Sequence, residues 1–191
     1  MLQLIVGLVL FLGTHSIAIV RPGWRTQLVE RFGELPWKLG YGAVSVLGLA
    51  LIVLGYGAAR ATDPVLLYQP PMWLRHVSLL LMLPAFTLVL AAYLPGRIQR
   101  AVQHPMLLAV KIWATAHLLA NGTLADLLLF GGFLAWAVAD RISLKRRPEP
   151  SVPRAPAAKW NDLIAVAGGL VVYVAFILFL HRWLFGVSPV V

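Results

Sequence analysis

The run from Leu2 to Val20 contains no Asp, Glu, Lys or Arg. A helix of about 20 apolar residues crosses the ~30 Å hydrocarbon core of a bilayer. This run stops at Arg21-Pro22-Gly23, and the positive residues follow it rather than precede it. A cleaved signal peptide has the opposite order, so the run is expected to remain as a span. Five similar runs lie at about 39–59, 77–94, 105–120, 124–139 and 163–184. The expected fold is an all-α integral membrane protein, one transmembrane domain over residues 1–191 with about six spans (between five and seven). Composition agrees: the chain is 60% hydrophobic and 12% charged, whereas soluble domains are roughly 45–50% apolar and about a quarter charged. A water-soluble enzyme, a disordered regulator and a nucleic-acid-binding domain are excluded. With no Cys, disulfides and thiolate metal sites are excluded too.

Local signals refine the spans. Gly48 and Gly55, seven apart, share one helical face on which a neighbouring backbone can come close. Pro84 predicts a kink in the third span. Pro105 suits the first turn of the fourth, and Asn121-Gly122 predicts a tight turn before the fifth. Residues 143–160, SLKRRPEPSVPRAPAAKW, read as an exposed basic, Pro-rich loop.

The net charge of +9 is distributed unevenly. Arg21, Arg25, Arg31, Lys38, Arg97, Arg100, Arg141, Lys145, Arg146, Arg147, Arg154 and Lys159 fall on one side of a six-span topology. Only Arg60, Arg75 and Arg182 fall on the other, and Lys111 lies within the fourth span. The excess of Lys and Arg marks the cytoplasmic side, so both termini are expected outside. Anionic lipid heads, not nucleic acid, are the expected partners of the basic loops. No residue identifies a redox partner protein.

Ionisable groups inside a membrane are expensive and point to function. His76 and His181 sit at span ends, where interfacial water satisfies an imidazole. His15 and His117 lie deeper, about 20 Å and about 18 Å along their spans at 1.5 Å per residue. Two imidazoles at similar depth suit the ligation of one metal or haem iron; the alternative is that each is satisfied by a neighbouring helix. Met106, Val110, Trp113, Ala114, His117 and Asn121 share one face of the fourth span. His104 and Lys111, seven apart, share another, where a lysine can snorkel to the interface or meet a carboxylate. No paired carboxylates lie within a span. No phosphate loop, Ser–His–Asp pattern, HExxH motif or broken half-helix pair is present.

Phe11-Leu12-Gly13-Thr14-His15-Ser16 with Arg21-Pro22, then His104-Pro105, Trp113-Ala114-Thr115-Ala116-His117 and Asn121-Gly122, resemble the NnrU family of bacterial inner-membrane proteins. That family is related to the zeta-carotene isomerase of plants and cyanobacteria. The resemblance implies a multi-span helical protein holding haem b, with His15 and His117 as axial ligands of the iron between spans one and four. From their position, His104 and Lys111 are further candidates, as support behind a ligand or at a haem propionate. The resemblance also implies a link to denitrification. The isomerase carries a Cys directly after the motif Trp as an alternative ligand; Ala114 stands there in this chain, which speaks against isomerase activity. Two other classes compete: a cofactor-free membrane scaffold or assembly factor, and a membrane methyltransferase using S-adenosylmethionine. The latter's R-H-P-x-Y-x-G segment corresponds to Gln103–Ala109, where the Arg, Tyr and Gly are all replaced.

Overall fold

The computed structural model describes residues 1–62, 64–147 and 153–190, and among them the chain is helical with no strand. Two compact units emerge, each built from segments distant in sequence: Met1–Tyr68 with Thr123–Pro148, and Gln69–Gly122 with Glu149–Val191.

In the first unit, α1 (Leu2–Val20) lies along α3 (Glu34–Ala61), with the short α2 (Trp24–Phe32) between them in sequence. Glycine sets the approach of α1 and α3. A Cβ on Gly7 would stand 2.6 Å from the Ile52 nitrogen, and one on Gly48 would stand 2.8 Å from that of Phe11. One on Gly55 would overlap Leu4. The expected close face at Gly48 and Gly55 is therefore real, and Gly7 completes it from the other helix. Leu4 and Ile52 are buried along this seam.

A second segment closes the unit. The Leu124 amide donates to the Val65 carbonyl at 2.8 Å, and Leu66 bridges Thr123. Thr123 then caps α8 (Leu124–Asp126), its hydroxyl receiving the Asp126 amide while the Asp126 carboxylate receives the Thr123 amide. Such a reciprocal pair satisfies two amides that a helix start leaves without partners. The helix continues through a π-helical stretch, Leu127–Gly131, into α9 (Gly132–Ser143). Tyr56 donates to the buried Asp126 carboxylate at 2.5 Å. Arg147 pairs with Asp140 beyond the end of α9.

In the second unit, α4 (Trp73–Met82) and α5 (Ala85–Tyr93) are separated at Leu83-Pro84, the break expected from a residue without an N–H. Next come α6 (Arg97–Val102) and α7 (Pro105–Ala120). A final helix begins as α10 (Asn161–Ala175), widens into a π-helical stretch at Phe176–Leu180 and ends as α11 (His181–Phe185). Buried Ala91, Ala109, Ala114 and Ala116 carry the packing of α5 and α7. The seam of α10 against α5 is partly polar. Gly169 lies so close to Thr87 that a Cβ would stand 2.5 Å from its hydroxyl, and Tyr173 donates to the Leu79 carbonyl at 2.8 Å. Asn161, buried, donates to the carbonyls of Pro95 and Pro156 at 2.9 and 3.1 Å. The Asp162 carboxylate receives the Arg97 and Ile98 amides at the start of α6.

Among the described residues, four helical stretches are long and apolar enough to cross a membrane: Leu2–Val20, Glu34–Ala61, Trp73–Tyr93 and Asn161–Phe185. The fold is thus all-α and membrane-like. The other two expected spans differ from these four. Pro105–Ala120 is shorter, with 16 residues, and the helix from Leu124 to Ser143 carries Asp126 near its start and Asp140 with Arg141 near its end. The second span begins five residues before its apolar run, and α2 and α6 occupy stretches read as loop. Of the expected basic loop at 143–160, residues 148–152 lie outside the described residues. Residues 153–158 have no regular structure, and the Ala155 amide donates to the Tyr93 carbonyl at 2.9 Å.

Candidate functional site: the histidines of two units

Thr14, His15 and Ser16 interrupt the apolar run of α1, and all three are satisfied within their own helix. The Thr14 hydroxyl donates to the Leu10 carbonyl at 2.6 Å and the Ser16 hydroxyl to that of Leu12 at 2.7 Å. His15 places Nδ1 2.7 Å from the Phe11 carbonyl oxygen. A carbonyl only accepts, so this nitrogen carries the proton and Nε2 is left with the lone pair. Around the ring stand Phe11, stacked at 4.3 Å, Tyr41 at 5.4 Å and Trp136, edge-on at 6.1 Å. Phe133 lies against Phe11 at 5.7 Å. The indole Nε1 of Trp136 is buried and has no hydrogen-bond partner among the described residues. A buried donor left unmet is rare enough to ask what would accept from it.

His117 repeats the device in the second unit. Its Nδ1 lies 2.8 Å from the Trp113 carbonyl, which fixes the same tautomer, and the Asn121 amide donates to the carbonyl of His117 at 2.9 Å. The Trp113 ring lies 5.3 Å away. The structure also brings His181 to this site, with ring centres 6.5 Å apart and planes within 18°. His181 is oriented by a chain reversal: Gly186 adopts φ +73° and the Val187 carbonyl returns to accept from its Nδ1 at 2.7 Å. The π-helical turn ends immediately before His181, and such turns recur at functional sites.

His15 and His117 therefore belong to different units, each with its Nδ1 bonded to a carbonyl of its own helix. His104 stands at the N-cap of α7, after Gln103 turns the chain with φ +64°. Lys111 lies within α7, half-buried, with no ion pair or hydrogen bond among the described residues. Sequence reasoning missed Trp136, Tyr41 and His181. The first two carry no motif, and His181 reads as an interfacial residue until the turn at Gly186 is seen.

An imidazole ligand needs its lone pair on one nitrogen and an acceptor fixing the proton on the other. His15 and His117 both meet this condition, and so does His181. The aromatic walls around His15 suit a flat apolar macrocycle, and the unmet Trp136 N–H suits an acceptor atom on a bound molecule. These residues fit the haem that the sequence motifs suggest. Among the described residues, no three His, Asp or Glu side chains are grouped to hold a bare ion.

No curated protein and no solved structure matches the chain. A family model described as NnrU protein matches residues 3–189, nearly the whole length. The chain belongs to the NnrU family.

Proposed function

We propose that this NnrU-family chain binds haem b in a bacterial inner membrane and serves redox or nitrogen-oxide metabolism related to denitrification. The observation that carries the reading is the shared tautomer of His15 and His117: each has its Nδ1–H tied to the carbonyl four residues back, which leaves Nε2 as the ligating atom. Each tether also holds its ring against rotation, lowering the entropy cost of ligation. When bound, haem supplies one-electron chemistry at its iron. His15 and His117 would hold its iron, the Trp136 N–H would hydrogen-bond to an acceptor on the bound molecule, and His104 and Lys111 would support a ligand or meet a propionate. Ala114, fully buried beside Trp113 in sequence, brings no sulfur to the site, so ligation rests on imidazole alone. The Lys and Arg distribution supports cytoplasmic basic loops and outward termini.

The test is a reduced-minus-oxidised visible spectrum of detergent-purified protein expressed with ample haem, beside His15→Ala and His117→Ala. The expected result is stoichiometric b-type bands in the parent and their loss in both variants. A featureless parent spectrum overturns the haem reading and leaves a cofactor-free scaffold as the function to pursue.

A further inference from the structure

None of the nine residues of α2 is buried. Trp24, Leu28 and Phe32 recur every four residues along it, with Arg25, Thr26, Gln27, Val29, Glu30 and Arg31 between them. A short helix of this pattern lies in the plane of a membrane surface. Gly33 then bends the chain into α3 with φ +89°, a conformation that favours glycine. The bend encloses an open groove of about 260 Å³, lined by Leu28, Phe32, Pro36, Trp37, Gly40 and Tyr41. Gly40 leaves space in this lining, since a Cβ there would meet nothing within 4 Å.

The cations beside the groove are of two kinds. Lys38 is neutralised by Glu34 at 2.9 Å. Arg21, Arg25 and Arg31 form no ion pair among the described residues. The Arg31 guanidinium lies 5.2 Å over the ring of Phe32, itself a wall of the groove. An apolar slot thus meets a net positive charge immediately after α1 ends, with Glu34 offsetting Lys38 and in part Arg25 while Arg31 forms no ion pair among the described residues. Glu30 is the single carboxylate on α2 and leaves the helix net positive.

We propose that this groove binds one anionic phospholipid, with an acyl chain against Phe32, Trp37 and Tyr41 and the phosphate on Arg25 and Arg31. The groove adjoins the His15 site, since Tyr41 belongs to both, but the lipid reading does not rest on the haem one. A zwitterionic lipid fits the slot as well, but its ammonium opposes the arginines, so the headgroup charge sets the preference.

Native mass spectrometry of protein released from nanodiscs tests this, using phosphatidylglycerol and phosphatidylcholine in equal amounts. The variants are Arg25→Gln/Arg31→Gln, Gly40→Leu, at a groove position where a Cβ meets nothing within 4 Å, and Arg182→Gln in the other unit as a control. Helix content by circular dichroism confirms that each is folded. Each arginine near the surface is expected to change retention about five-fold, so the double variant should lose most of its phosphatidylglycerol. Gly40→Leu should lose a comparable share, and Arg182→Gln should retain it. Equal retention of the two lipids by the parent overturns the proposal. So does full retention by Gly40→Leu, which would make the arginines a diffuse surface field rather than the head of a groove.

Discussion

The two units present the same device, an imidazole tied to its own helix, on seams of different chemistry. In the first, α1 meets α3 across Gly7, Gly48 and Gly55, where backbone lies against backbone. In the second, α10 meets α5 and its neighbours through polar bonds from Asn161, Asp162 and Tyr173, with Gly169 against the Thr87 backbone and Gly168 against the Leu90 side chain. Lipid tails are as apolar as leucine, so helices in a bilayer gain little from burying apolar side chains against each other; close packing and hydrogen bonds remain. Each unit leans on one of these. The consequence reaches the histidines: His15 sits among aromatic rings, whereas His117 sits beside a second imidazole.

The sharpest way to break this comparison is to thicken the glycine seam. Gly55→Ala places a methyl group on the Leu4 backbone, which cannot swing aside as a side chain does. Overpacking costs typically 1–3 kcal/mol, and a backbone clash is expected at or above the top of that range. Gly57→Ala, on the same helix but meeting nothing within 4 Å, should instead gain up to about 1 kcal/mol from helix propensity. Thermal unfolding in detergent checks both. Equal midpoints for the two variants would mean that α1 and α3 are not held by this contact.

In the second unit the corresponding test is Asn161→Ala. It strands the carbonyls of Pro95 and Pro156 near a site that is 4% exposed. A buried acceptor left unmet costs about 1–3 kcal/mol. Tyr56→Phe asks the same of the side-chain bond between α3 and the first unit's closing helix. It removes a donor from the buried Asp126 carboxylate, which keeps its bonds to Thr123, so the loss is expected at about 1–2 kcal/mol. If Tyr56→Phe proves costlier than Gly55→Ala, the first unit is as polar in its energetics as the second, and the contrast fails.

How far these features were legible follows the physics of each. α1 and α7 run from Leu2 to Val20 and from Pro105 to Ala120 as expected, because each apolar run ends where a breaker or a charge begins. α3 starts early, at Glu34, because a helix does not stop where its apolarity stops; Glu34, Leu35, Pro36 and Trp37 form a sound first turn with an acid at the positive end of the dipole. α2 and α6 are too short and too charged to register against full spans. The π-helical stretches Leu127–Gly131 and Phe176–Leu180 are apolar throughout and give no periodic signal. Among the site residues, His15 and His117 stood out because charge-capable groups are rare inside spans. His181 did not, since its approach to His117 depends on a turn several residues later and on an element more than sixty residues away in sequence. Trp136 could not be found at all from sequence, because an indole without an acceptor is a property of its surroundings.

His181 offers a milder test. His181→Ala removes the ring beside His117 while leaving the Nδ1–Trp113 tether untouched, so b-type bands should persist with a shifted maximum. Complete loss of the bands, with fold retained, would make His181 as necessary as His117 and would mark the second unit as the main seat of the haem.

The smallest expected effect separates the two units most cleanly. Trp136→Phe keeps the ring against His15 and deletes only the unmet N–H. If that donor serves a bound molecule, the variant should be unchanged or up to about 1 kcal/mol more stable without haem, since a buried orphan is relieved. With haem it should be less stable than the parent by a similar amount. Opposite signs in the two states, read from thermal midpoints of loaded and haem-free protein, would tie the indole to the ligand. The same sign in both would make it part of the aromatic packing of the first unit and nothing more.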